Sequence, residues 1–204
     1  LGAAHGNVAG HFEDLEFVEL HERILVANGL GSEGFAASSL PEVPPRLADE
    51  AAALVAARRG LAAPWGWKDP RTILLLDFWA RLVPESRFLF VVRPPWDVVD
   101  SLFRRGDPAF VYNPPLAPAV CDFYHRQILA FAARHPHRCV VRELAQVVAD
   151  PAAVFADVRR VGVPLGDPPR DRYLDDLLGA PAAAELARVR SEEHTSELQS
   201  RFGI

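Results

Sequence analysis

"WGWKDPRTILLLDFWARLVPESRFLFVVRPPWDVVDSLFRRG", Trp65 to Gly106, carries the pattern from which the fold is read. At its centre, Arg87 to Arg93 (RFLFVVR) is an apolar run of strand length between two charges. An unbroken run of this kind predicts a strand covered on both faces, as in a parallel sheet. Upstream, Asp69 suits an N-cap and Pro70 the first helical position, so DPRTILLLDFWARLVP predicts a helix. Downstream, Pro95 opens and Gly106 closes another. Ala63 to Lys68 (APWGWK) reads as a short strand.

Outward from this block the same alternation continues. Leu15, Val18, Ile24 and Leu25 recur at helical spacing, predicting a helix over Asp14–Ala27 that Gly29 ends. GSEGFAASSLPEVPP is loop-like, and the Ala-rich RLADEAAALVAARR is a helix stopped by Gly60. DPAFVYNPPLAP reads as a Pro-rich loop, followed by a helix over about Ala119–Arg134. RCVVR is a third strand, and PAAVFADVRRVG a helix opened by Pro151 after Asp150. Strands alternating with helices predict an α/β fold with a parallel sheet.

Composition narrows the function. Half of the 204 residues are hydrophobic, enough for a sizeable core. The net charge of -5, without a basic tract, argues against a nucleic-acid binder. No apolar run reaches the roughly 18–20 residues of a membrane helix, and LGAAHGNVAG lacks the n- and h-regions of a signal peptide. Cys121 and Cys139 show no metal-ligand spacing and read as free thiols in a reducing, cytoplasmic setting, with a lone disulfide between them as the alternative. His135-Pro-His137 is the closest approach to a ligand pair and reads as a loop or helix end. Heavy use of Ala, Arg and Pro suggests GC-rich, bacterial coding, and the absence of Met suggests a processed or incomplete chain.

Ligands of open parallel sheets bind beyond the carboxyl ends of the strands. Two predicted strands end in a cation, Lys68 and Arg93, and each runs into a Pro-started helix whose N-terminus could join in holding an anion. Of 22 Lys and Arg residues Lys68 alone is lysine, a compact charge on a flexible stem where Arg is a planar fork. Ser101, eight residues after Arg93, could point back at the same anion. On spacing alone Arg93 is equally a solvated strand-end charge, and Ser101 a helix-surface hydroxyl. Asp97 and Asp100 read as solvated, and Arg104-Arg105 as complements to the helix dipole.

The block resembles the sulfotransferase superfamily, in particular bacterial members and the protein-tyrosine sulfotransferases. That family shows a strand ending in Lys-Asp-Pro, a helix, a Phe-Pro-x-Ala/Ser-Lys/Arg-Phe entry, a strand ending in Arg, and a Ser eight residues beyond. Lys68-Asp69-Pro70, VPESRF, Arg93 and Ser101 follow this order and spacing. GNVAGHFEDLEFVELHERIL resembles the family's Asn-Pro-x-Gly-x-Phe-Glu stretch, and the similarity runs from about Asn7 to Pro164.

The resemblance implies a three-layer, P-loop-NTPase-like parallel sheet with helices on both faces. It implies sulfuryl transfer from 3'-phosphoadenylyl sulfate to a hydroxyl or amine acceptor, without a metal. Lys68 matches the lysine near the reacting sulfuryl group, and Arg93 and Ser101 match the pair holding the donor's 3'-phosphate. Glu13 matches the acidic residue that serves as general base in several branches, with Asp14 and Glu16 beside it. The Gly/Ser/Thr-rich loop that follows the family's first strand has no counterpart here. The expected domain, 1–189, therefore lacks its first strand and phosphate loop, and this fragment is expected to be inactive alone. RELAQVV stands where the family has Tyr-Glu-Asp-Leu, and RPPWD where it has Arg-Asn/Asp-Pro. An inactive relative that binds a nucleotide or a protein, and a kinase related by fold, are the alternatives.

RSEEHTSELQS, Arg190 to Ser200, looks like the in-frame translation of a DNA sequencing adapter, so 190–204 is expected to be a non-native tail. Phe110, Tyr112, Phe123 and Tyr124 are candidates either for an acceptor pocket or for core and lid packing.

Overall fold

Asp14 and Asp69 both cap helices, and this sets the frame of the fold. The structure, a computed structural model, describes residues 13–61 and 64–167. The tail at 190–204 and the motif residues before Glu13 lie outside them. In chain order come α1 (Leu15–Ala27), α2 (Pro45–Arg59), a 3-10 helix (Pro70–Leu75) running into α3 (Leu76–Leu82), and β1 (Phe88–Val92). Then follow α4 (Pro95–Arg104), α5 (Pro108–Tyr112), α6 (Leu116–Arg134), β2 (Cys139–Glu143), α7 (Leu144–Ala149) and α8 (Pro151–Arg160).

β1 and β2 pair in parallel, with Phe88 opposite Cys139 and Val92 opposite Glu143. Nineteen residues of α6 lie between them in sequence, as a parallel crossover requires. The protein is thus a mixed α/β fold with a small two-stranded parallel sheet among the described residues. Phe88, Phe90 and Val92 turn to the face packed by Leu76, Ala80, Ile128 and Phe131, and Cys139 and Val141 continue that face on β2. On the other face Val140 is buried and Arg142 pairs with Asp157 of α8.

Three expectations are corrected. Among the described residues the run 87–93 is not covered on both faces: α8 packs against β2, and Leu89 and Val91 remain 48% and 45% exposed. APWGWK forms no strand over its described residues, Pro64 to Lys68. Trp65 and Trp67, two residues apart, both stack on Phe17, with ring centroids 6.2 and 4.1 Å away. The chain there is held by aromatic packing rather than by a ladder. DPAFVYNPPLAP is not all loop: Asp107 accepts from the Ala109 amide at 2.9 Å, Pro108 takes the first helical position, and α5 forms around buried Phe110.

The largest core cluster joins Phe17, Leu20, Ile24 and Leu25 of α1 to Leu47, Ala51 and Val55 of α2, with Leu74, Leu75 and Trp79 beneath. The stripe 47, 51, 55 is the i, i+4 spacing of one helix face. A smaller cluster of Phe110, Ala117 and Val120 takes in half-buried Val99 and Leu102 of α4, a helix with no fully buried residue.

Candidate functional site

Glu13 and Lys68 are 55 positions apart, yet each stands immediately outside a helix cap. Glu13 precedes Asp14, whose carboxylate accepts from the Glu16 amide at 3.1 Å and starts α1. Lys68 precedes Asp69, whose carboxylate accepts from the Arg71 amide at 2.9 Å and starts the 3-10 helix. The structure brings the two together: Lys68 Nζ donates to Glu13 Oε1 at 2.8 Å. The Glu13 side chain is 8% exposed and that of Lys68 58%, so the carboxylate is sheltered while the ammonium reaches solvent. The neighbouring acids are engaged elsewhere. Arg58 reaches Asp14 at 3.2 Å and also pairs with Glu16. Of the three acidic candidates, Glu13 is the one facing Lys68.

Behind this pair lies a buried polar group that the motif reading did not single out. His21 and Asp69 are fully buried and 2.7 Å apart, Nδ1 to Oδ2. Trp79 Nε1–H donates to His21 Nε2 at 2.9 Å. Indole N–H can only donate, so Nε2 carries no proton and Nδ1–H donates to Asp69. Arg71 adds Nη1 to Asp69 Oδ1 at 3.1 Å, Nε to the Ser32 carbonyl at 2.7 Å and Nη2 to Glu22 at 3.2 Å. Burial pushes the Asp69 carboxyl up, but the contacts from His21 and Arg71 outweigh it and leave it below its ordinary value. The sequence signal for His21 was a polar residue within the apolar stripe of α1, beside Phe17, Ile24 and Leu25.

Arg93 follows β1 directly and is half-buried. Its only side-chain hydrogen bond among the described residues runs from Nη2 to the Asp97 carbonyl at 3.0 Å, in the first turn of α4. Ser101 lies one turn beyond Asp97, the i, i+4 relation that puts both on one side of the helix. The Pro-started helices leave few free amides at their N-termini among the described residues. Pro95 has no N–H, and the amides of Asp97 and Val98 both bond to the Pro94 carbonyl, which leaves the Trp96 amide free among the described residues. At the other helix Pro70 has none, Asp69 occupies the Arg71 amide, and Thr72 bonds to the Asp69 carbonyl. Positive charge here comes from the Lys68 and Arg93 side chains.

No protein-family model, curated protein or solved structure matches the chain. What the site can do therefore follows from its own residues. A mobile ammonium beside a sheltered carboxylate can neutralise a developing oxyanion and accept a proton. A half-buried guanidinium free of carboxylates among the described residues suits a phosphate. Of the four aromatic candidates for an acceptor pocket, Phe110 and Phe123 are core residues, and Tyr124 donates its hydroxyl to the Gly34 carbonyl at 2.5 Å. Burial pushes that phenol well above its ordinary value. Tyr112 alone is exposed, at 86%. Cys121 and Cys139 are both free, and burial raises both thiols, which makes them poor nucleophiles.

Proposed function

We propose that the chain is part of a sulfotransferase of the P-loop-NTPase-like, three-layer kind, acting from 3'-phosphoadenylyl sulfate on a hydroxyl or amine acceptor. The observation that carries the reading is the Lys68–Glu13 contact at 2.8 Å, which joins the two motif residues assigned to the reacting centre. The donor, when bound, supplies the sulfuryl group and a phosphate leaving group. Arg93 and Ser101 would hold its 3'-phosphate, and the half-buried, carboxylate-free guanidinium fits that role. Glu13 takes the proton from the acceptor as its oxygen or nitrogen bonds to sulfur. Lys68 Nζ neutralises the charge left on the departing oxygen.

In-line transfer puts the attacking and leaving atoms on opposite sides of the transferred group. The Lys68–Glu13 pair must therefore open for the reaction. Magnitude makes this feasible. An ion pair with one partner mostly solvated contributes about 0–1 kcal/mol, less than donor binding can supply. A slim ammonium can follow a moving charge, where a guanidinium fork is built for a static one. That is the chemical reason for a lysine at position 68. A nucleotide-binding relative without turnover is the second reading. It is the alternative because the sequence holds no Gly/Ser/Thr-rich loop with a basic residue to cradle the sulfuryl-bearing end of the donor.

The test is sulfuryl transfer from radiolabelled 3'-phosphoadenylyl sulfate, measured in the full-length protein and in its Lys68→Ala and Lys68→Arg variants. Lys68→Ala should lower kcat by about 100-fold or more with donor affinity nearly kept, and Lys68→Arg should restore little. Equal loss of turnover and affinity would remove Lys68 from the leaving-group role. Absence of transfer with nucleotide binding retained would favour the second reading.

A further inference from the structure

The Trp79–His21–Asp69 chain has no part in the transfer just described, yet two of its members are fully buried and titratable. We infer that His21 is a positioning residue that, through Asp69, holds Lys68 opposite Glu13; its catalytic value rests on the proposed function. Lys68 is the residue before Asp69, and Asp69 is the cap on which the 3-10 helix begins. Glu13 is the residue before the cap of α1, and His21 projects from that same helix. The His21–Asp69 bond therefore ties the element that starts after Glu13 to the element that starts after Lys68.

A second tie, Arg71 to Glu22, runs in parallel but ends on a carboxylate 38% exposed to solvent. A solvated tie of that kind is weak beside a dry, charge-assisted hydrogen bond. Eight residues separate Glu13 from His21, roughly 12 Å along a helix, so His21 acts at a distance from the reacting atoms. Trp79 completes the device. Its N–H fixes the imidazole with Nδ1–H toward Asp69, so the ring cannot turn over without orphaning a buried donor.

Because Lys68 is the sole lysine, the geometry can be read without an activity assay. A water-soluble carbodiimide activates the Glu13 carboxylate, the Lys68 amine displaces the urea, and an amide forms with net loss of one water. Peptide mapping separates this product from any involving the terminal amine. His21→Asn places an amide N–H where Nδ1–H stood and keeps the Asp69 tie. His21→Gln reaches toward Trp79 and gives up the Asp69 tie.

The wild type and His21→Asn should cross-link comparably. His21→Gln should fall by about tenfold, the factor expected for one charge-assisted hydrogen bond. Should His21→Gln fail to fold by near-UV circular dichroism, Asp69→Asn gives the same readout. Its amide N–H would face the His21 N–H, and His21→Asn in that background restores an acceptor by an amide flip. A folded His21→Gln, or Asp69→Asn in its place, cross-linking as well as wild type overturns the inference. So does His21→Asn failing as badly as His21→Gln, or no cross-link in the wild type. Loss of the cross-link in His21→Gln, with neither sulfuryl transfer nor nucleotide binding in the full-length protein, would refute the proposed function and leave the positioning intact.

Discussion

Asp69→Ala removes a side chain that accepts three hydrogen bonds at the site, and its cost can be worked from the partners it leaves. Asp69 accepts from His21 Nδ1 at 2.7 Å, the Arg71 amide at 2.9 Å and Arg71 Nη1 at 3.1 Å. Loss of the cap on the Arg71 amide costs about 1 kcal/mol. His21 Nδ1–H, fully buried, is left without an acceptor, at about 1–3 kcal/mol. Arg71 keeps the Ser32 carbonyl and Glu22, so its guanidinium adds little. The sum is about 2–4 kcal/mol, large against the roughly 5–15 kcal/mol of a typical domain. Urea unfolding at neutral pH should show a lower midpoint with an unchanged slope, the sign of lost stability rather than an altered unfolded state. A loss under about 0.5 kcal/mol would mean that His21 finds another acceptor and that the buried group does not carry this energy.

Two further outcomes follow from the same neighbourhood. The Asp69 carboxyl is held below its ordinary value in the folded state, so its contribution is fully present above the unfolded value, about 3.9, and is lost as pH falls through the folded one; acid unfolding followed by circular dichroism should therefore be steeper below about pH 4 in the wild type than in Asp69→Asn, and parallel curves would refute the linkage. Gly34 has φ +81°, and a Cβ there would sit 3.1 Å from the Tyr124 hydroxyl and 3.2 Å from Arg71 Cγ. Gly34→Ala should cost about 1–3 kcal/mol in thermal or urea unfolding, and a neutral substitution would mean that the turn relaxes freely.

What was legible in the sequence was local. Asp14, Asp69 and Asp107 cap helices because a short carboxylate on an extended residue accepts from the amide two residues on, and Asp69-Pro70, Asp107-Pro108 and Asp150-Pro151 advertise it. The Asp107 cap is masked in the sequence by the prolines around it. Parallel pairing of the two valine-rich strands was legible for the same local reason, the helix between them. Cover was not: whether Leu89 and Val91 face solvent depends on where α8 docks, a long-range fact that no window of sequence contains. Trp65 and Trp67 carry strand-like residues, but their rings satisfy themselves on Phe17, 48 positions before Trp65. Of the site, the order of Lys68, Arg93 and Ser101 was visible, as was Glu13. The partnership of His21 with Asp69 was not, because a histidine in an apolar stripe does not announce which distant carboxylate will meet it.

The proposed function requires that Arg93 and Ser101 make a nucleotide 3'-phosphate site in the same molecule as the Lys68–Glu13 pair. Its most direct test is calorimetric titration of the protein with adenosine 3',5'-bisphosphate, repeated with Arg93→Ala and with 5'-AMP, which lacks the 3'-phosphate. The bisphosphate should bind and weaken by about tenfold or more in Arg93→Ala, and 5'-AMP should bind weakly and be unaffected by the substitution. Bisphosphate affinity that ignores Arg93, or equal affinity for the two nucleotides, would contradict that requirement.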